Sequence, residues 1–263
     1  MMQNGKGTAL ITGASTGIGA IYADRLARRG YDLVLVARRR ELLDALAAQI
    51  VAETGRSVRT IAADLTDERD LARVEDEVRA STTLTMLVNN AGVAAVSSIV
   101  DADPRAMSEI VTLNVGALVR LTHAAAPGLV ARRGTLVNIS SITAIAPEVL
   151  NGVYGGSKAF VLAFSQSLHH ELAPRGVRVQ VVLPGATATD LWARSGRPIE
   201  HLPKEIVMSA EDMVDTALAA LDQGEVVTIP ALPDVAQWDA YERARVAMRP
   251  HLSLATPAAR YTR

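Results

Sequence analysis

Thr12-Gly13-Ala14-Ser15-Thr16-Gly17-Ile18-Gly19 follows a short apolar run, 8–12, and opens onto a stretch with helical period. Its glycines let backbone approach a pyrophosphate closely. A helix starting near Gly17 offers the same group free N–H donors and the positive end of its dipole. The spacing is not Gly-x-Gly-x-x-Gly, and no Gly-Lys-Ser/Thr follows, which argues against a P-loop nucleotide triphosphatase. A tight reversal of the chain also selects glycine, so the motif gains weight only from its surroundings.

Outward from this turn, further strand-like runs fall at 32–37, 58–62, 86–89, 135–139, 178–183 and 226–229, separated by stretches of helical period. That alternation predicts an α/β fold: a doubly wound, Rossmann-like parallel sheet of seven strands with helices on both faces. In one helical stretch Leu42, Leu43, Leu46, Ile50 and Val51 fall on one side. Asp103 before Pro104 reads as a helix cap with proline at the first helical position, and Gly30 and Gly176 read as helix stops. No repeat or flexible linker divides the chain, so 1–263 is expected to form a single domain. Within it, 189–209, with Trp192, Gly196, Arg197 and Pro203, is a candidate substrate loop. The stretch 231–263 is a C-terminal extension beyond the last strand.

With 263 residues, 49% of them apolar, the chain can bury a large core. A formal charge of −1, with basic residues spread along the chain, leaves no electrostatic footprint for nucleic acid or an anionic membrane. The absence of cysteine removes disulfides, thiolate metal sites and thiol nucleophiles together. The first seven residues lack the apolar core of a secretory signal, and no apolar run is long enough to span a bilayer, so the expected location is cytoplasmic.

Chemistry enters with Tyr154 and Lys158, four apart at the start of a predicted helix and therefore on one face. A neighbouring cation favours phenolate. Acid/base work near neutral pH needs a downward shift from the ordinary value near ~10, which Lys158 and an oxidised nicotinamide ring would supply. Ser141, thirteen residues before Tyr154, is placed to hydrogen-bond a substrate oxygen; its neighbour Ser140 is the lesser candidate.

Taken in order, Thr-Gly-x-x-x-Gly-x-Gly, Asp64, Asn89-Asn90-Ala91-Gly92, Asn114, Ser141, Tyr154, Lys158, Pro184-Gly185 and Thr189 resemble the short-chain dehydrogenase/reductase family. The resemblance runs from about residue 8 to residue 229. It implies an enzyme moving hydride between a nicotinamide cofactor and a carbonyl or secondary alcohol. Tyr154 is then general acid/base, Lys158 and Ser141 its partners, and Asn114 the holder of a water that links the lysine to solvent. It also implies a homodimer or homotetramer built through the helices of Asn114 and Lys158.

At the end of the second strand, where an acidic residue would accept the ribose hydroxyls of NAD, the chain reads Val36-Ala37-Arg38-Arg39. A guanidinium matches a phosphate bidentately, so NADP(H) is expected over NAD(H), with Arg38 carrying the preference. Arg39 and Arg40 read as a solvated helix start. Gly13, Ser15, Thr16, Gly17, Ile18 and Gly19 are expected along the pyrophosphate, and Asp64 and Leu65 around the adenine. Asn90, Ala91 and Gly92 fall beside the adenosine ribose. Pro184, Gly185, Thr187 and Thr189 fall at the carboxamide, with Tyr154 and Lys158 also touching the cofactor. Ile142, Thr143, Glu148, Asn151, Ala186, Leu191 and Trp192 would line the substrate pocket, although Trp192 equally suits an anchor for its loop. No metal site is expected, since His169 and His170 are adjacent and do not share a helix face. Competing possibilities are a catalytically silent NADP(H)-binding sensor or scaffold and a methyltransferase with a similar sheet.

Overall fold

The apolar runs become strands, and the inner ones are buried on both faces, whereas the edge strand that carries Arg59 is largely half-buried. They are β1 (Thr8–Thr12), β2 (Asp32–Ala37), β3 (Val58–Ala62), β4 (Leu84–Asn89), β5 (Thr135–Ile139), β6 (Arg178–Val182) and β7 (Val227–Thr228). In the computed structural model, which describes residues 5–195 and 198–261, they form one sheet in the order β3-β2-β1-β4-β5-β6-β7. All neighbours are parallel. Against the sequence expectation, β4 starts two residues earlier, β6 stops one sooner, and β7 keeps only two residues. A short edge strand presents few unpaired groups.

Helices α1 (Gly17–Arg28), α2 (Arg40–Thr54) and α8 (Ala210–Gln223) cover one face of the sheet; their buried residues join Ile11, Leu35, Val88 and Val182 in one apolar cluster. On the other face lie α3 (Glu68–Ala80), α5 (Leu118–Arg132) and α6 (Gly152–Leu172), packed on Leu10, Val36, Leu87 and Val179. The helix α4 (Pro104–Val111) runs through a π-helical segment, Thr112–Ala117, directly into α5. Asp103 caps α4 from its side chain, with Pro104 at the first helical position as expected. The apolar face of α2 is narrower than its sequence suggests. Leu43, Ala47 and Ile50 are buried, whereas Leu42 and Val51 stand on its flanks at 38% and 45% exposure, because only an i, i+4, i+7 stripe reaches the sheet.

The chain runs outward from β1 through β2 to β3, then returns to place β4 on the other side of β1. This reversal is the switch point at which parallel sheets bind ligands, beyond the C-terminal ends of the strands. The turn after β1 and the Asn90–Gly92 segment after β4 therefore lie side by side. After β6 the chain makes a long loop through the short helix α7 (Leu191–Ser195). The base of the loop closes where Met208 pairs with Thr187, with Met208 N donating to Ala186 O and Ala188 N to Met208 O, both at 2.9 Å. Trp192 donates its indole N–H to Thr187 O at 3.0 Å, which makes it a loop anchor. Gly196 and Arg197 lie outside the described residues.

The chain divides into two compact units, Met1–Pro230 and Ala231–Arg263. The second coincides with the stretch read as a C-terminal extension. It holds α9 (Val235–Ala247), on which Trp238 stacks on Tyr241 at 5.2 Å, and none of its described residues is buried. No helix among the described residues is long and apolar enough to cross a membrane.

Candidate active site

The glycine turn is stitched to the end of β4 by one threonine and one asparagine. Thr12 Oγ1 accepts from the backbone N–H groups of Asn90 and Ala91, each at 3.0 Å. Asn90 Nδ2 donates back to Thr12 O and Gly13 O. Gly13 holds φ +66°, where a Cβ would also lie 2.9 Å from Ala91 Cα, and a Cβ on Gly19 would collide with the Gly13 carbonyl. Thr16 gives α1 no side-chain cap, and the first turn carries no acidic residue, so the helix presents its N–H groups and positive dipole end unopposed. This cradle fits a pyrophosphate.

At the end of β2, Arg38 Nη1 lies 3.9 Å from Asp64 Oδ2, and both side chains are partly exposed. So loose an ion pair leaves the guanidinium able to engage a phosphate. Asp64 Oδ1 accepts from Thr66 N and Thr66 Oγ1, leaving Oδ2 for other partners. Leu65 is buried beside it. Arg39 departs from its expected role as a solvated helix start: Nη2 donates to Thr16 Oγ1 at 3.0 Å and Ser15 Oγ at 3.4 Å. Two guanidinium groups thus stand beside the glycine turn, one next to Asp64 and one next to Thr16.

The second half of the site is carried by β5, α6 and the π segment. Asn151 caps α6, its Oδ1 accepting from Val153 N and Tyr154 N, so Tyr154 and Lys158 occupy the first two turns on one face. Lys158 Nζ donates to Ile139 O at 2.9 Å and lies 5.8 Å from the centre of the Tyr154 ring. Burial lowers the Lys158 ammonium to about 8. Two residues beyond β5, Ser141 caps a 3-10 turn, Ile142–Ala144, accepting from Thr143 N at 3.2 Å, and hydrogen-bonds the Tyr154 hydroxyl.

Asn114 sits inside the π segment, a geometry that redirects side chains and frees helix carbonyls. Its Oδ1 accepts from Val93 N, while Nδ2 donates to Val93 O, both at 2.9 Å, and to Ser157 Oγ at 3.1 Å. A Cβ on Gly92 would come 3.1 Å from Asn114 Oδ1 and 3.5 Å from Lys158 Nζ, so all three meet at one point. The four residues singled out by sequence order come together, all nine-tenths or more buried. Among the chain's own groups, burial pushes the Tyr154 phenol up and the Ser141 hydrogen bond partly opposes it.

The other end of the cleft is closed by the chain after β6. Ile142 N donates to Pro184 O, Thr187 Oγ1 donates to Gly185 O, and the Thr189 methyl would lie 3.2 Å from a Cβ on Gly17. Among the expected pocket residues, Thr143 is 1% exposed and turned inward, and the Asn151 amide is engaged by backbone. Ser140, the lesser candidate beside Ser141, instead donates its Oγ to Lys158 O, and Ser157, which sequence reasoning missed, donates its Oγ to Tyr154 O, both at 2.7 Å. No local pattern announces these two bonds, whereas an asparagine just ahead of a predicted helix was a legible sign of the cap.

Residues 7–199 match the family model described as short chain dehydrogenase. The chain belongs to the short-chain dehydrogenase family. It is an oxidoreductase acting on alcohols and ketones. This short-chain dehydrogenase is 47% identical to one from Sphingobium yanoikuyae solved in complex with NADPH. The match covers 97% of this chain and 99% of that one at a TM-score of 0.94. A bulky-bulky ketone specific alcohol dehydrogenase from Comamonas testosteroni is 41% identical, over 98% and 99% of the two chains, with a TM-score of 0.90. Serine 3-dehydrogenase of Agrobacterium fabrum is 34% identical over 238 residues, covering 86% of this chain and 92% of its own.

Proposed function

We propose that this short-chain dehydrogenase uses NADP(H) in preference to NAD(H) and interconverts a ketone flanked by two bulky apolar groups with its secondary alcohol. Tyr154 is the general acid/base. The observation that carries this is the meeting of Tyr154, Ser141, Lys158 and Asn114 beyond the strand ends. Bound NADPH supplies hydride to the carbonyl carbon. In reduction, the raised pKa of the Tyr154 phenol keeps its proton in place until charge develops on the substrate oxygen, which then takes it. The Ser141 hydroxyl hydrogen-bonds that oxygen as it becomes negative. Lys158, held at Ile139 O, returns a proton toward the phenolate, and Asn114 keeps the lysine end of this path in register through Val93 and Ser157.

The residues holding the cofactor are those of the glycine cradle, Gly13, Ser15, Thr16, Gly17, Ile18 and Gly19. Asp64, Leu65, Asn90, Ala91 and Gly92 surround the adenosine half, and Pro184, Gly185, Thr187 and Thr189 the other end. Arg38 supports the preference for the extra phosphate, in keeping with the NADPH held by the Sphingobium relative. For the substrate, Ile99, Val100, Ile145, Val149 and Ile206 are exposed on the loops that follow β4, β5 and β6. These loops all leave the same edge of the sheet, and so apolar a rim suits a lipophilic ketone. The resemblance to the Comamonas enzyme along nearly the whole chain supports the same class. We also take the protein to be cytoplasmic and a homodimer or homotetramer. Phe160 and Val111, exposed on α6 and α4, suit such pairing.

The test is a panel of carbonyl compounds followed by loss of NADPH absorbance. Turnover of cyclohexyl phenyl ketone, exceeding that of sugars and small keto acids, is expected. Tight NADPH binding with no turnover of any carbonyl would instead point to a silent cofactor-binding protein.

A further inference from the structure

The segment 93–103 leaves β4 beside Asn114 and carries two of the most exposed apolar side chains of the first unit, Ile99 at 71% and Val100 at 88%. It is tied down at two points. Asn114 holds both backbone groups of Val93, and Asn151, itself buried, donates its Nδ2 to Ser97 O. Beyond Ser97 the segment makes only a local turn, in which Ser98 Oγ donates to Asp101 Oδ2 and Asp101 N to Ser98 O, before Asp103 caps α4.

The same Asn151 side chain accepts from Val153 N and Tyr154 N. One amide therefore joins the start of the Tyr154 helix to the base of an apolar flap. We infer that Asn151 is a positioning residue, a latch that holds the 97–101 flap against the Tyr154 end of the site and so sets how tightly a bulky apolar ketone is gripped. The physical reason is division of labour within the amide. Its oxygen does what any good helix cap does, but only an amide of this length also has a donor that reaches the Ser97 carbonyl. The kinetic consequence rests on the proposed ketone chemistry; the latch itself does not.

Two variants separate the functions. Asn151→Asp and Asn151→Ser keep a good cap acceptor but lose the donor at Ser97, one with a charge and one without; Asn151→Ala loses cap and latch together. Hydrogen exchange on the full chain should show faster exchange of amides 97–101 in Asp and Ser variants with Val153 and Tyr154 still protected, and loss at both places in Ala. With cyclohexyl phenyl ketone and NADPH, KM should rise about fivefold in the Asp and Ser variants while the effect on kcat stays within about twofold. Acetophenone, with one small flank, should respond less. Unchanged exchange at 97–101 in both variants, or an equal fall in kcat for both ketones with KM unmoved, would overturn the latch. Failure of the wild type to reduce any ketone would remove the proposed chemistry, and the exchange result would then decide the latch alone.

Discussion

The Ser140 hydroxyl donates to the backbone carbonyl of Lys158 at 2.7 Å, while the Lys158 ammonium donates back to the carbonyl of Ile139 at 2.9 Å. The end of β5 and the second turn of α6 are thus clamped reciprocally, with Ser141 next along the chain left to meet the phenol. Adjacent serines have separate duties. Ser140→Ala should lower the unfolding free energy by about 1 kcal/mol, read from urea denaturation, with a modest effect on turnover. Ser141→Ala should lose about a hundredfold in kcat with little change in stability. An exchange of these two outcomes would reverse the assignment.

Removing only the phenolic oxygen tests the acid/base role. Tyr154→Phe should cut turnover by about a hundredfold or more while NADPH affinity, measured by fluorescence titration, stays nearly intact. Equal loss of binding and turnover would speak against Tyr154 as the proton donor.

Cofactor preference is assigned to Arg38, whose partner Asp64 is 3.9 Å away and whose side chain is half exposed. Arg38→Ala should weaken NADPH by about tenfold or more and leave NADH nearly unchanged, since only NADPH carries the extra phosphate. Arg39→Ala should give a smaller effect in the same direction. Equal weakening of both cofactors by Arg38→Ala would undo the preference.

Lys158 gives stability a pH dependence. Burial lowers it from 10.5 to about 8, so between these values the unfolded chain binds a proton that the folded chain does not. Stability therefore rises with pH across that window, and the penalty is fully present below about 8. Comparing Lys158→Met with wild type by chemical denaturation at several pH values should show the difference moving in favour of wild type as pH rises toward 10.5. Parallel curves would mean the lysine is solvated.

At the glycine turn, the Cβ introduced by Gly19→Ala meets a backbone carbonyl, which has nowhere to go. About 1–3 kcal/mol of stability should be lost together with most NADPH affinity. A folded variant with wild-type affinity would show that the turn is not the pyrophosphate cradle.

Much of this was legible in order and spacing. The alternation of β-rich and helical runs specified a parallel seven-stranded sheet, and the strand ends differ from expectation by at most two residues. Tyr154 and Lys158 had to share a face because residues four apart on a helix do. Register along one element is a local property, and local properties can be read from a string.

The order of residues along the chain, read by itself, determined the fold class and the glycine turn, and it singled out the four side chains that the fold brings together. What only the tertiary structure decided is how side chains from separate elements use their donors and acceptors: Ser140 clamping Lys158, Asn151 reaching Ser97, and Arg39 folding back to Thr16. It also decided the direction of the Tyr154 shift, because burial depends on everything packed around the phenol. Hydrogen bonding and desolvation are set by neighbours in space, and those neighbours lie tens of residues apart in the chain.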